Sequence, residues 1–221
     1  MNKIMILGAH SGKNKGDLAI LISMIENIKK LDNKCFIYIP SKNPSFLSKF
    51  FKKYSNILIF KAKTGYLGLK TLFNIKKCNS IVIGGGGLFF SRKIINPYYN
   101  HLLNIYFIIL LNKYIFHKKV ILFSVGASHL KGKLSNYMMR FILKNSKVII
   151  ARDNYTKNLF FNLSKKEVLL HYDPAFDLIL KKSKKIDNLK LSKYKRKILI
   201  CVNSSIFEVN KNKKHNNYNN F

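Results

Sequence analysis

With 221 residues, 48% of them hydrophobic, the chain is long enough for one large domain with a sizeable core, or for one domain and part of a second. Its formal net charge of +32 is carried almost wholly by scattered lysines. Only Arg92, Arg140, Arg152 and Arg196 supply bidentate forks, which argues against a specific nucleic-acid reader.

Lys3–Leu7 is a continuous apolar run and reads as a strand. It is too short for the apolar region of a secretion signal, and the polar loop 8–15 follows it. Asp17 to Lys30 reads as a helix with Ile20, Leu21, Met24, Ile25 and Ile28 on one face; Asp17 either caps it or lies in its first turn. Cys35–Ile39 is a strand ended by Pro40, Ile57–Phe60 another, and 67–77 a helix. Ile81–Ile83 is a strand running into four consecutive glycines, Gly84, Gly85, Gly86 and Gly87. Repeated glycine lets a backbone come close to a ligand, so a ligand-facing loop is expected there; the alternative is a tight strand-to-helix turn. Leu102–Phe116 is strongly apolar but falls short of the ~20 residues of a membrane span, so it reads as a buried crossover helix, the alternative being a peripheral membrane contact. Val120–Val125 is a strand stopping at Gly126, 134–144 a helix, Val148–Ala151 a strand, Asp153–Leu163 a helix, and Val168–Tyr172 a strand ended by Asp173-Pro174.

Strands alternate with helices, and most strands are apolar throughout rather than every second residue. Both faces of the sheet are therefore covered, which implies an α/β fold with a doubly wound parallel, Rossmann-like sheet. Ligands in such sheets bind beyond the carboxyl ends of the strands. Asn14-Lys-Gly-Asp17, Gly84–Gly87, Ser124-Val-Gly126, Arg152-Asp153 and Asp173-Pro174 all fall at those ends. A dinucleotide site is disfavoured: Gly8, Gly12 and Gly16 do not form GxGxxG, and no acid ends the second strand. The expected organisation is a domain over 1–180, a charged linker over 181–197, the first strand of an incomplete second domain over 198–203, and a Lys/Asn-rich low-complexity tail over 204–221. Exposed on its own, the apolar strand 198–202 would seek a partner, so a homo-oligomer or poor solubility is expected.

Cys35, Cys78 and Cys201 are far apart and form no CxxC, which argues against a disulfide framework or a zinc site and fits a reducing cytosol. No His, Cys or carboxylate cluster has metal-ligand spacing, so no bound metal is expected. The lysines leave attraction to acidic glycans or to the anionic inner face of the cell membrane open.

The motifs Asn14-Lys-Gly-Asp-Leu-Ala-Ile20, Ile83-Gly-Gly-Gly-Gly-Leu-Phe89, Ser124-Val-Gly-Ala-Ser128, Ala151-Arg-Asp-Asn-Tyr-Thr156 and Asp173-Pro-Ala-Phe176 occur in that order. Together they resemble the polysaccharide pyruvyl transferase family over roughly residues 3–203. The resemblance implies the N-terminal half of a B-type glycosyltransferase fold. It also implies a cytoplasmic enzyme of exopolysaccharide biosynthesis, acting at the cell envelope. Phosphoenolpyruvate is the donor substrate, no separate cofactor is used, and the acceptor is a sugar or lipid-linked glycan. A non-catalytic remnant or a glycan or nucleotide-sugar binding module is the alternative.

Phosphoenolpyruvate carries a phosphate and a carboxylate, so its site needs fixed cations and backbone N–H groups. On this resemblance Arg152, at the start of a helix, is the candidate anion fork; its alternative is a structural pair with Asp153 or Asp173. Gly16, Gly84–Gly87, Gly126 and Asp153 would line the substrate. Asn14 would hydrogen-bond the acceptor or shape the turn. Asp17 would serve as base or orient a hydroxyl, its alternative being a helix cap. His10 would move a proton, since an ordinary imidazole pKa suits that task, or else be a solvated loop side chain.

Overall fold

The computed structural model describes residues 1–10, 14–62, 68–90, 100–128 and 130–182. The strand expected at 198–203, the tail at 204–221 and all but the first two residues of the linker lie outside them.

Seven parallel strands form one sheet in the order β3-β2-β1-β4-β5-β6-β7: β1 Lys3–Leu7, β2 Phe36–Ser41, β3 Ile57–Lys61, β4 Ser80–Phe90, β5 Lys119–Ser128, β6 Val148–Ala151 and β7 Leu169–Leu170. The helices are α1 Lys15–Leu31, α2 Pro44–Ser48, α3 Leu69–Lys76, α4 His101–Leu111, α5 Lys133–Lys144, α6 Asn154–Ser164 and α7 Ala175–Lys182. The chain winds outward from β1 to β3, returns through α3 to β4 on the other side of β1, and continues outward to β7. The order of strands thus reverses between β1 and β4, and the carboxyl ends of these two strands are where doubly wound sheets place their ligand crevice.

Alternation within β1 shows why its run is wholly apolar. Met5 and Leu7 pack with Ile81, Ile83, Leu122 and the inner residues of α4 and α5. Ile6 points the other way, joining Ile37, Ile39 and Val82 beneath Ile20, Leu21, Met24 and Ile25 of α1. Both layers are closed to solvent, and each fully buried Ile or Leu contributes about 1.5–3 kcal/mol relative to exposure.

Three local differences from the sequence reading have physical causes. Pro40 lies inside β2 rather than ending it, because past the Met5–Tyr38 pair β2 has only β3 beside it. The helix expected to run to Phe116 changes at Asn112 into a π-helical turn, Asn112–Phe116. Asn112 is buried there and clamps the turn to β5: its amide donates to the Lys118 carbonyl and its carbonyl accepts from the Lys118 N–H, each at 2.9 Å. The linker expected from residue 181 begins within α7, which lies against α1. Asp177 of α7 accepts from Asn27 at 2.9 Å, from Ser23 at 3.5 Å, and from Tyr172.

Candidate functional site

The four glycines are not a loop. β4 continues through them to Phe90, paired with β5 at Gly84–Phe123, Gly86–Val125 and Gly87–Gly126. The ladder survives because glycine can follow the irregular path: Gly85 and Gly86 have φ of +78° and +80°. The absent side chains also decide where α1 sits. A Cβ on Gly84 would lie 2.2 Å from Met24 Cε, and one on Gly85 2.1 Å from Ile20 Cγ2. These two glycines admit the helix to β4. Gly86 and Gly87 border the polar edge instead, with Asp17 Oδ1 and Arg152 Nη2 beside them at 3.3 and 3.6 Å from their notional Cβ positions.

Arg152 follows β6, and its guanidinium lies across Gly126. A Cβ at Gly126 would meet Nε at 2.3 Å, Cζ at 2.7 Å and Nη2 at 2.9 Å. The pairing given as the alternative is present with both carboxylates, Asp153 at 3.5 Å and Asp173 at 3.7 Å. Two such long contacts do not exhaust five N–H donors, and with 34% of the side chain exposed the fork can reach an incoming anion.

Asp153 has a second task as N-cap of α6, accepting the Thr156 N–H at 2.7 Å. Burial alone would raise its carboxyl. The Thr156 hydrogen bonds and the Arg152 charge outweigh that and hold it below the ordinary aspartate range. Thr156, fully buried, accepts the Ala127 N–H at 3.0 Å and ties α6 to the end of β5. Ser124, at φ +48°, turns its hydroxyl to the His171 and Tyr172 carbonyls just ahead of Asp173. Sequence reasoning missed these two anchors, because neither a left-handed serine nor a buried threonine has a local signature.

Asn14 caps α1, its Oδ1 accepting the Gly16 N–H at 2.9 Å. That leaves Asp17 in the first turn, half-buried beside Gly86. Burial first, and the nearby Asp173 carboxylate second, push its pKa above the ordinary value. Asp17, Gly86, Gly87, Gly126, Arg152, Asp153 and Asp173 thus border one polar edge at the ends of β4, β5, β6 and β7.

His10 follows β1. It is 5% exposed, so it is not a solvated loop side chain. Its ring packs on Gly8, where a Cβ would approach both Nε2 and the Gly84 carbonyl. Among the described residues neither ring nitrogen has a hydrogen-bond partner. Burial, helped by His101, lowers its pKa to about 3, so the ordinary value that favoured proton transfer is not the one present. The imidazole is neutral at physiological pH. Below pH 6.5 an unfolded chain takes up a proton that the folded one refuses, so stability falls as pH falls from 6.5 towards 3. Between pH 7 and 5 the expected loss from this group is about 2 kcal/mol. Melting temperatures across that range should show it, and His10→Leu should flatten the slope; an equal slope in the variant would contradict this.

Among the described residues no group of three His, Cys, Asp or Glu is placed to hold a metal ion, and no helix is long and apolar enough to cross a membrane.

A family model described as polysaccharide pyruvyl transferase matches residues 14–220. No curated protein matches the chain. Among solved structures it is similar to the crystal structure of UDP-GlcNAc 2-epimerase from Neisseria meningitidis bound to UDP-GlcNAc, with 11% identity and a TM-score of 0.50. That match covers 82% of this chain and 49% of the other, so this chain spans about half the length of the protein it matches. At such identity the likeness shows a shared fold, the doubly wound sheet.

Proposed function

Because the chain belongs to the polysaccharide pyruvyl transferase family, a family of transferases, we propose that its carboxyl edge takes part in moving a pyruvyl group from phosphoenolpyruvate to sugar hydroxyls of a surface polysaccharide. The observation that carries this reading is the Arg152 guanidinium laid over Gly126, at the same strand edge as Gly86 and the half-buried Asp17.

The reaction adds a proton to the methylene carbon of phosphoenolpyruvate, leaving oxocarbenium character at C2. A sugar hydroxyl attacks C2 and gives up its proton, and inorganic phosphate departs. A second hydroxyl, losing its own proton, can close a cyclic ketal. In this reading Arg152 holds the phosphate or carboxylate in its fork. Asp17 exchanges the proton, a task for which a raised pKa suits a carboxylate. His10, neutral and with no ring-nitrogen partner among the described residues, would hydrogen-bond a substrate hydroxyl that reaches its buried ring.

The test is release of inorganic phosphate from phosphoenolpyruvate by the full chain with a lipid-linked glycan acceptor. Asp17→Asn should lower kcat/KM by about 10²–10⁴-fold. The wild-type activity should fall as pH drops through a value above the ordinary aspartate range, because the base must be ionised. Phosphoenolpyruvate bound without phosphate release would favour a binding module instead.

A further inference from the structure

Residues 33–152 contain no Asp or Glu. Within that acid-free stretch, α4, the π-helical turn and α5 present a mixed basic and apolar face. On α5 the residues Lys133, Tyr137, Arg140 and Lys144 recur every three or four positions, all exposed, while Met138, Met139, Ile142 and Leu143 are buried. The face is continuous with the neighbouring helix. The Tyr106 ring lies 6.3 Å from Tyr137, 5.6 Å from Phe107 and 5.2 Å from Phe141. Lys113 reaches over both Tyr114 and Phe141. Tyr114 and Ile115 stand 64% and 61% exposed at the turn, where a chain seeking only solubility would carry polar residues.

We propose that this face docks on an anionic lipid bilayer. Aromatic rings and an exposed isoleucine suit the headgroup boundary, and a basic residue near an anionic surface strengthens binding roughly fivefold. A nucleic-acid partner fits less well, since Arg140 is the only arginine here and aliphatic side chains have no role on a phosphate backbone. The inference concerns a different surface from the carboxyl edge and stands or falls without the pyruvyl-transfer reading.

The experiment is sedimentation of the full chain with vesicles of phosphatidylcholine alone or mixed with phosphatidylglycerol. Three double variants are compared: Lys113→Glu with Arg140→Glu, Tyr114→Ser with Ile115→Ser, and, as an equal charge change elsewhere, Lys52→Glu with Lys53→Glu. The wild type should pellet with mixed vesicles. The first pair should weaken this at least about tenfold, while the third changes it by less than about twofold. The second pair should lose most at high salt, where charge is screened and apolar contact remains. Equal losses in the first and third pairs would mean that net charge alone attracts the protein, and would overturn the proposal. So would a wild type that stays in the supernatant. Patch variants that dissociate a dimer or abolish RNA binding while still pelleting with vesicles would also overturn it, and would assign the face to a second copy or to RNA.

Discussion

Gly85→Ala is expected to destabilise the fold by about 2–6 kcal/mol. Two costs add. A residue with a Cβ held at φ +78° is strained by roughly 1–3 kcal/mol. The new methyl would also stand 2.1 Å from Ile20 Cγ2, and overpacking a tight core costs about 1–3 kcal/mol more. A domain of this size has only about 5–15 kcal/mol in hand, so the variant should unfold at much lower urea. Gly87→Ala is the control: its new Cβ would meet only Arg152 Nη2, at an ordinary 3.6 Å. Equal urea midpoints for the two variants would contradict the packing described for α1. Pairing Gly85→Ala with Ile20→Ala removes the collision but not the backbone strain, so the double variant should cost less than the two single changes summed.

Arg152→Lys should lower kcat/KM for phosphoenolpyruvate by about a hundredfold or more, with stability nearly unchanged. Lysine keeps the charge but not the planar fork, and each charge-assisted hydrogen bond is worth about 1.5–3 kcal/mol. Gly126→Ala offers an independent route to the same result. Its methyl would occupy the space of Nε and Cζ, pushing the guanidinium off the strand without altering its charge. The arginine side chain is long and can swing away, so the fold should tolerate the change. Phosphate-release kinetics and urea midpoints on both variants check this; full activity in Gly126→Ala would remove Arg152 from the anion site.

The sheet was legible because every buried strand declares itself by an unbroken apolar run, and because the polar motifs fall where those runs stop. Arg152 and Asp17 could be placed at the edge on that ground alone. The glycine run was legible as special and misread in kind. Glycine is a poor strand former in isolation, and the ladder with β5 holds these residues within the strand despite the positive φ of Gly85 and Gly86. The burial of His10 left no trace in its neighbours, since a short polar loop looks solvated until the fold encloses it. Helix α7 was hidden for a related reason: the hold of Asp177 on Ser23 and Asn27 spans more than a hundred residues of chain.

The closeness of α1 to β4 also limits how this sequence can drift. Ile20 and Met24 occupy the volume that side chains at 85 and 84 would need, so each pair shares one allotment of space. A heavier residue at 20 or 24 has nowhere to expand, and a heavier one at 84 or 85 becomes tolerable only after its partner has shrunk. Position 85 carries the stricter bar, because its backbone angle still penalises anything but glycine when room has been made. Change in this part of the protein must therefore come in ordered pairs, helix first and strand second.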